Sequence, residues 1–298
     1  MDDGSTVARV RWSAEQRLAF IEFRVFWDGG VNRGDIMDRF GVSTPQASSD
    51  LTTYRTLAPQ NLEYDASAKR YVASPHFTPR IISPSADRYL SQLGALANGV
   101  LDLGDTWIGF LPPAAAMPVP SRRVESGLFR GLLAAIRDGT SVEAQYQSMS
   151  PKRPEPIWRR ITPHAFGSDG LRWHVRGYCH IDGVFKDFVV SRWRGLRDFG
   201  PAGAAAKDDV DWQDVFKVVL EPNPALSLKQ REAVAWEYDM PKGRTSLVVR
   251  RALLYYLKKR LRLDVDSASP AETSVVVANR KEFDQALASA KGRVSGGD

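Results

Sequence analysis

Only Gly41-Val42-Ser43 separates two stretches of helical apolar spacing, and a chain cannot do much between them except turn a tight corner. The stretch before the corner starts at Asn32, a good N-cap, and carries Asp35, Ile36, Met37 and Phe40. The stretch after it opens with Ser43-Thr44-Pro45, a capping hydroxyl followed by a proline that suits a first helical turn, and runs to about Thr56. A longer helix precedes both. Ser13 with Gln16 reads as the capping box that starts it, Leu18, Ile21 and Val25 repeat at helical spacing, and Gly29-Gly30 ends it. Phe23, Phe26 and Trp27 widen its apolar face.

In the third helix Ala47, Leu51 and Tyr54 share one face. The opposite face carries Ser49, Thr52, Thr53 and Thr56, flanked by Gln46 and Ser48. Such short, uncharged, hydrogen-bonding side chains let a helix sit deep in a major groove. The stretch NLEYDASAKRYVAS reads as two short strands around a turn, with Lys69 and Arg70 on the return strand. Helices, corner and hairpin together spell a winged helix-turn-helix, with Thr44, Gln46, Ser48, Ser49, Thr52, Thr53, Lys69 and Arg70 as candidate DNA contacts. The plainer alternative is a three-helix packing module with a polar third helix.

Charge qualifies this reading. The chain of 298 residues has a formal net charge of +6. Residues 1–80 hold ten basic and ten acidic side chains and are neutral; residues 121–200 hold fourteen and eight, so this one segment has the same excess as the whole chain. A neutral reading domain suggests modest affinity per module, and so a dimer that doubles the phosphate contacts. The basic centre attracts polyanions, or is simply a solvated basic surface. Residues 81–121, which include a helix near Ser85–Val100 and the proline-rich LPPAAAMPVPS, read as a helical linker between residues 1–80 and the basic centre. No apolar run is long enough for a membrane helix, the N-terminus has no secretory pattern, and the single Cys179 makes no internal disulfide, so a cytoplasmic protein is expected.

Residues 122–200 read as one helix, Arg123 to Asp138, followed by strands over 142–147, 158–165, 171–180 and 184–192, the pattern of a small bent barrel of the Sm or SH3-like kind. Along 171–180 the residues alternate: Trp173, Val175 and Cys179 take one face, and Arg172, His174, Arg176, Tyr178 and His180 the other. A polar stripe with two arginines is not core; it is either a binding face, a solvated basic face, or a set of salt bridges to Asp182 and Asp187.

The stretch ITPHAFGSDGLRWHVRGYCHIDGVFKDFVVSRW resembles the WYL domain of bacterial transcriptional regulators, through Pro163, the triplet Trp173-His174-Val175, Gly177-Tyr178 and the closing Ser191-Arg192. The triplet departs from the name, with His for Tyr and Val for Leu. With FGVSTPQASSDL, LAPQNLEYD and YVASPHFTPR in the N-terminal part, nearly the whole chain resembles the BrxR and CapW group of regulators found with anti-phage islands. That resemblance implies a ligand pocket on the barrel, with Tyr146, Ser148, Arg159, His164, His174, Arg176 and Arg192 as its candidates, and a single-stranded nucleic acid or nucleotide as its ligand.

After the linker 200–207, residues 208–298 read as strand 210–220, helix 227–238, strand 245–249, helix 252–263, strand 274–278 and helix 281–290. This order suggests a small ferredoxin-like α/β layer. The resemblance makes it the dimerisation domain, and Tyr255-Tyr256 hints at a partner surface or, equally plainly, core packing. The fold class is therefore α+β: winged helix-turn-helix, Sm/SH3-like barrel, ferredoxin-like layer.

No phosphate-binding loop, nucleophile elbow or metal spacing occurs, and Cys179 sits on an apolar strand face, so neither catalysis nor a cofactor is expected. The expected function is a homodimeric repressor of a phage-defence operon that binds double-stranded operator DNA and senses an anionic ligand. A ligand-dependent activator, and an operator-independent accessory protein of a defence system, remain as alternatives. Arg176→Ala is expected to abolish the ligand response while leaving operator affinity within a few-fold.

Overall fold

The computed structural model describes residues 3–151, 153–263 and 273–294. It divides into two compact units, Met1–Pro118 and Val119–Asp298.

The first unit contains α1 (Asp3–Asp28), α2 (Arg33–Phe40), α3 (Thr44–Leu57) and a hairpin of β1 (Leu62–Asp65) and β2 (Arg70–Ala73). The caps fall where the sequence puts them: Asn32 and Asp35 form a capping box on α2, Gly41 closes it at φ 63°, and Ser43 accepts from the Gln46 N–H at the start of α3. The start of α1 differs. The helix runs from Asp3, so Ser13 lies inside it; the stretch between holds no proline to stop a helix from extending. Leu18, Ile21 and Val25 of α1, Ile36 of α2 and Ala47, Leu51 and Tyr54 of α3 form one buried cluster. Val31 pairs with Tyr71, tying the hairpin to the loop after α1. That approach requires Gly30, where a Cβ would sit 2.6 Å from the Tyr71 carbonyl oxygen.

Part of the segment expected as a helical linker packs onto this unit. The buried Glu22 carboxylate accepts from the Tyr54 hydroxyl at 2.7 Å and from the backbone N–H groups of Arg80, Ile81 and Ile82 at 2.8, 2.7 and 2.7 Å. The chain then forms α4 (Ala86–Ala97), whose Tyr89 ring lies 4.8 Å from that of Trp27. Trp107 sets its edge against Phe20 and Phe23, and Asp28 accepts from the N–H groups of Gly109 and Phe110.

In the second unit α5 (Ser126–Asp138) lays Leu128, Leu132 and Ala135 on a five-stranded antiparallel sheet. Its strands are β3 (Ser141–Tyr146), β4 (Ile157–Ser168), β5 (Trp173–Cys179), β6 (Val184–Val189) and β7 (Trp193–Gly200), in the order β6-β5-β4-β3-β7. The last strand returns to the first, as a Sm-like barrel would have it, but β6 and β7 do not pair, so the sheet bends without closing. β7 escapes the sequence pattern because Arg194, Arg197 and Asp198 break the alternation; such charges suit an edge strand.

Next come α6 (Val210–Gln213), β8 (Val215–Pro222), α7 (Leu228–Glu237), β9 (Thr245–Arg250), α8 (Leu254–Arg260), β10 (Val275–Val277) and α9 (Arg280–Val294). The strand expected from residue 210 starts at Val215, because Asp209 caps a helical turn ahead of it. β9 and β10 flank β8, both antiparallel to it. The layer is therefore a three-stranded antiparallel sheet, simpler than the ferredoxin-like arrangement, around Val218, Leu220, Leu254 and Phe283.

Glu22→Ala strands several buried donors at once and is expected to destabilise the chain by about 3 kcal/mol or more in chemical unfolding. A loss under about 1 kcal/mol would show that the carboxylate does not anchor the segment after the wing.

Candidate nucleic-acid interface and sensor cavity

On α3 the side chains of Thr44, Gln46, Ser49, Thr52 and Thr53 are exposed and Ser48 is half-buried, whereas Ala47, Asp50, Leu51 and Tyr54 face inward. Asp50 is held by Arg17 at 2.7 and 3.1 Å and takes the Gln46 amide at 3.0 Å. The hydroxyls of Thr52 and Thr56 donate to the carbonyls of Ser48 and Thr52, which leaves their oxygens as acceptors on the surface. A concavity of about 440 Å3 lies between this face, the start of α2 and the wing, lined among others by Ser48, Thr52, Arg33, Tyr64 and Lys69.

The two expected wing cations part company. Lys69 is exposed at the turn, with φ 51°. Arg70 turns back and its guanidinium donates to the Gly30 carbonyl, so it braces the wing. Arg33 is a lining residue that the sequence reading does not single out. A cation in the first turn of a helix opposes the helix dipole, and that mismatch is the available signal.

In the second unit Tyr146, Ser148, Arg159, Arg176 and Arg192 line a cavity of about 670 Å3, together with Lys186, Asp187, Phe188 and Tyr256. The Tyr146 hydroxyl accepts from the Val189 N–H at 3.1 Å, and Arg159 lies over the Tyr146 ring at 5.7 Å. Arg159 is 4% exposed, and its Nε and Nη2 have no hydrogen-bond partner. Its nearest carboxylate is Asp182, 3.7 Å from Nη1. Asp182 also takes Lys186 and Arg153 at 2.9 Å each and the Cys179 thiol at 3.0 Å. Burial alone would raise the Asp182 carboxyl, but these bonds pull it down to about 2. Burial and the bond to Asp182 push the Cys179 thiol up, the opposite of a reactive thiolate.

His164 and His174 stand outside this cavity: the His164 side chain is buried against Asp209 on the segment that leads to β8, and His174 lies under Tyr256, which belongs to α8. The polar stripe of β5 is covered there: His174 is 2% and Arg176 3% exposed. Arg176 donates through Nε and Nη2 to Asp209 at 2.7 and 3.0 Å, and its Nη1 lies 3.4 Å from Asp187. His164 Nε2 is 2.9 Å from the same Asp209. Burial would raise the Asp209 carboxyl, but His164 and Arg176 bring it down to about 2. The His174 ring stacks on Tyr256 at 4.8 Å, and burial lowers its pKa, which keeps it neutral. Tyr256 donates to Asp187 at 3.1 Å, so this tyrosine faces the sheet, while Tyr255 is the exposed member of the pair. Burial pushes the Asp187 carboxyl up despite Arg176. The salt bridges to Asp182 and Asp187 weighed from the sequence are thus present, but the dominant carboxylate is Asp209. Arg176→Ala would leave Asp209 buried without its main partner, so Arg159 is the cleaner residue with which to probe the cavity.

Among the described residues there is no group of three or more metal-ligating side chains, and no helix is long and apolar enough to cross a membrane.

Comparison with known proteins fits these parts. The family of the BrxR transcriptional regulator winged helix-turn-helix domain matches residues 13–95, the WYL domain family residues 127–197, and the BrxR transcriptional regulator C-terminal dimerization domain residues 215–283. The chain is 39% identical over 286 residues to the DNA-binding transcriptional repressor CapW of Stenotrophomonas maltophilia, covering 95% of each. It is 38% identical to CapW of Escherichia coli (strain KTE188) and to CapW of Pseudomonas aeruginosa, in both cases covering 92% of this chain and 91% of the relative. A solved structure of the proteasome accessory factor B/C of Arthrobacter aurescens aligns at a TM-score of 0.24 and 20% identity over 92% of this chain and 49% of its own, too low to carry an argument.

An unfolded aspartate titrates near 3.8 and Asp209 near 2 in the folded chain, so its stabilising contribution is whole above about pH 4 and is lost as pH falls toward 2. Thermal unfolding should therefore separate wild type from Asp209→Asn most at about pH 5 and bring the two together by about pH 2. A gap that stays constant across that window would contradict the assignment.

Proposed function

The chain belongs to the family of DNA-binding transcriptional repressors that includes CapW, and from that premise we propose that it binds a palindromic operator as a homodimer and leaves it when an anionic ligand enters the sensor cavity. Its relatives are named as DNA-binding transcriptional repressors, and its C-terminal part matches a dimerization domain. The observation that carries the ligand reading is Arg159: a guanidinium 4% exposed, two of its nitrogens without partners, beside Arg176, Lys186 and Arg192 in one cavity. Guanidinium donors held out of water favour a phosphate or carboxylate. A nucleotide or a short single strand meets that requirement and adds a base to stack near Tyr146. The regulated genes are proposed to be a phage-defence operon, as the family resemblance implies.

For the operator, Ser49, Thr52 and Thr53 with Gln46 and Ser48 are the proposed base-edge and phosphate contacts, and Lys69 with Arg33 the proposed phosphate contacts of wing and α2. Footprinting on the DNA upstream of the gene should show two protected half-sites about one helical turn, or a multiple of it, apart. Thr52→Ala should cost about 1–3 kcal/mol on the operator and little on unrelated DNA, whereas Lys69→Ala should weaken both and reduce the salt slope by about one per protomer. Uniform protection along the fragment would contradict operator recognition.

For the ligand, pentathymidylate serves as the probe. It should lower operator affinity of the wild type, and Arg159→Met should lose that response while its operator affinity stays within a few-fold. Weakened operator binding by Arg159→Met without probe would place this residue in the DNA-binding function instead.

A further inference from the structure

The cavity takes its walls from two domains. The bent sheet supplies Tyr146, Arg159 and Arg176, and α8 of the dimerisation domain supplies Tyr256. Tyr256 is fixed by its stack on His174 at 4.8 Å and its bond to Asp187 at 3.1 Å.

Two of the arginines that line the cavity, Arg159 and Arg176, are in opposite states. Arg159 has donors without partners. Arg176 is fully engaged, by Asp209 at 2.7 and 3.0 Å and more loosely by Asp187 at 3.4 Å. Asp209 in turn does three things. It holds Arg176, it takes His164 Nε2 at 2.9 Å, and it caps α6 by accepting from the Trp212 N–H at 3.3 Å. One residue after α6 the chain becomes β8, the central strand of the dimerisation domain. Trp212 lies 5.9 Å from His164 and carries the Arg250 guanidinium of β9 over its ring at 4.9 Å. Arg176 is therefore at once a wall of the cavity and the clasp on the segment that enters the dimerisation domain.

An anion drawn in by Arg159 arrives next to a second guanidinium whose partners are carboxylates. A phosphate offers the same bidentate geometry to Arg176 as Asp209 does, with more charge. Resting on the reading of this cavity as the ligand site, we propose that a phosphate-bearing ligand binds by partner exchange: it replaces Asp209 on Arg176, so that ligand uptake and release of the segment 209–213 from the sheet are one event. The freed Asp209 keeps its cap on α6, and the movement passes to β8. Uptake and release are then reciprocally linked, and whatever weakens the clasp tightens the ligand.

The test uses the full-length protein, pentathymidylate as probe, and amide hydrogen exchange of the segment 205–214. In wild type the probe should speed exchange across that segment. Asp209→Asn should show fast exchange there without probe and bind pentathymidylate about tenfold more tightly. Arg159→Met should lose probe binding and keep the segment slow. If pentathymidylate binds in an Arg159-dependent way but leaves 205–214 unchanged, or if Asp209→Asn binds it no better than wild type, partner exchange is wrong and the cavity still stands as the ligand site. If neither wild type nor Asp209→Asn shows Arg159-dependent binding, the ligand site and the exchange fall together. Should Asp209→Asn not fold, the exchange measured on wild type decides alone.

Discussion

The bond between Arg176 and Asp209 is the interaction from which the second unit takes its arrangement. Two charges are taken out of water, and in that setting a single contact would not offset their desolvation. Here each has several partners: Asp209 has the guanidinium, His164 and a helix cap, and Arg176 has two carboxylates. The position depends on close strand packing. Next to Arg176, a Cβ at Gly177 would lie 2.8 Å from the Thr162 carbonyl oxygen, so only glycine lets β5 approach β4 as it does. The sheet thus presents its arginine, and the segment after it folds to meet it, turning once at α6 before β8 begins.

The net positive charge takes on a different meaning once its partners are known. Arg153, Arg159 and Lys186 gather on Asp182, Arg172 on Asp169, and Arg160 and Arg197 on Glu143. These acids belong to residues 121–200 themselves, so the pairs engage six of the segment's basic side chains without reducing its excess, whereas Arg176 draws on Asp209 from outside it. The donors left for a ligand are set less by the sum than by which groups have no partner, and Arg159 has two such nitrogens. The neutral winged helix is likewise specified by where hydroxyls and a few cations stand, on α3, at the start of α2 and at the wing tip.

Local signals make the helix-turn-helix legible: caps, a glycine stop and apolar spacing all act within a few residues of where they are read. The same signals locate the polar stripe of β5, and the alternation assigns its face correctly. They do not reveal that the face is covered. Period-two spacing says which residues point the same way, and nothing about what lies on top; Asp209 is 33 residues beyond Arg176 and Tyr256 further still. His164 and His174, grouped with the cavity residues by side-chain type, are covered in the same way, by Asp209 and Tyr256. Arg70 misleads for a related reason, since its partner is a carbonyl forty residues away. β7 and the turn at α6 escape the sequence reading because charges break the alternation in one and a cap displaces the strand in the other.

A double-mutant cycle on Arg176 and Asp209, Arg176→Met with Asp209→Asn, tests this account most directly. Chemical unfolding at one fixed protomer concentration supplies the four stabilities. A coupling of about 2 kcal/mol or more, with the double variant clearly less damaged than the two single losses together would give, is the predicted result. Additivity within about 0.5 kcal/mol would contradict it, and with it the claim that this pair joins the five-stranded sheet to the C-terminal domain.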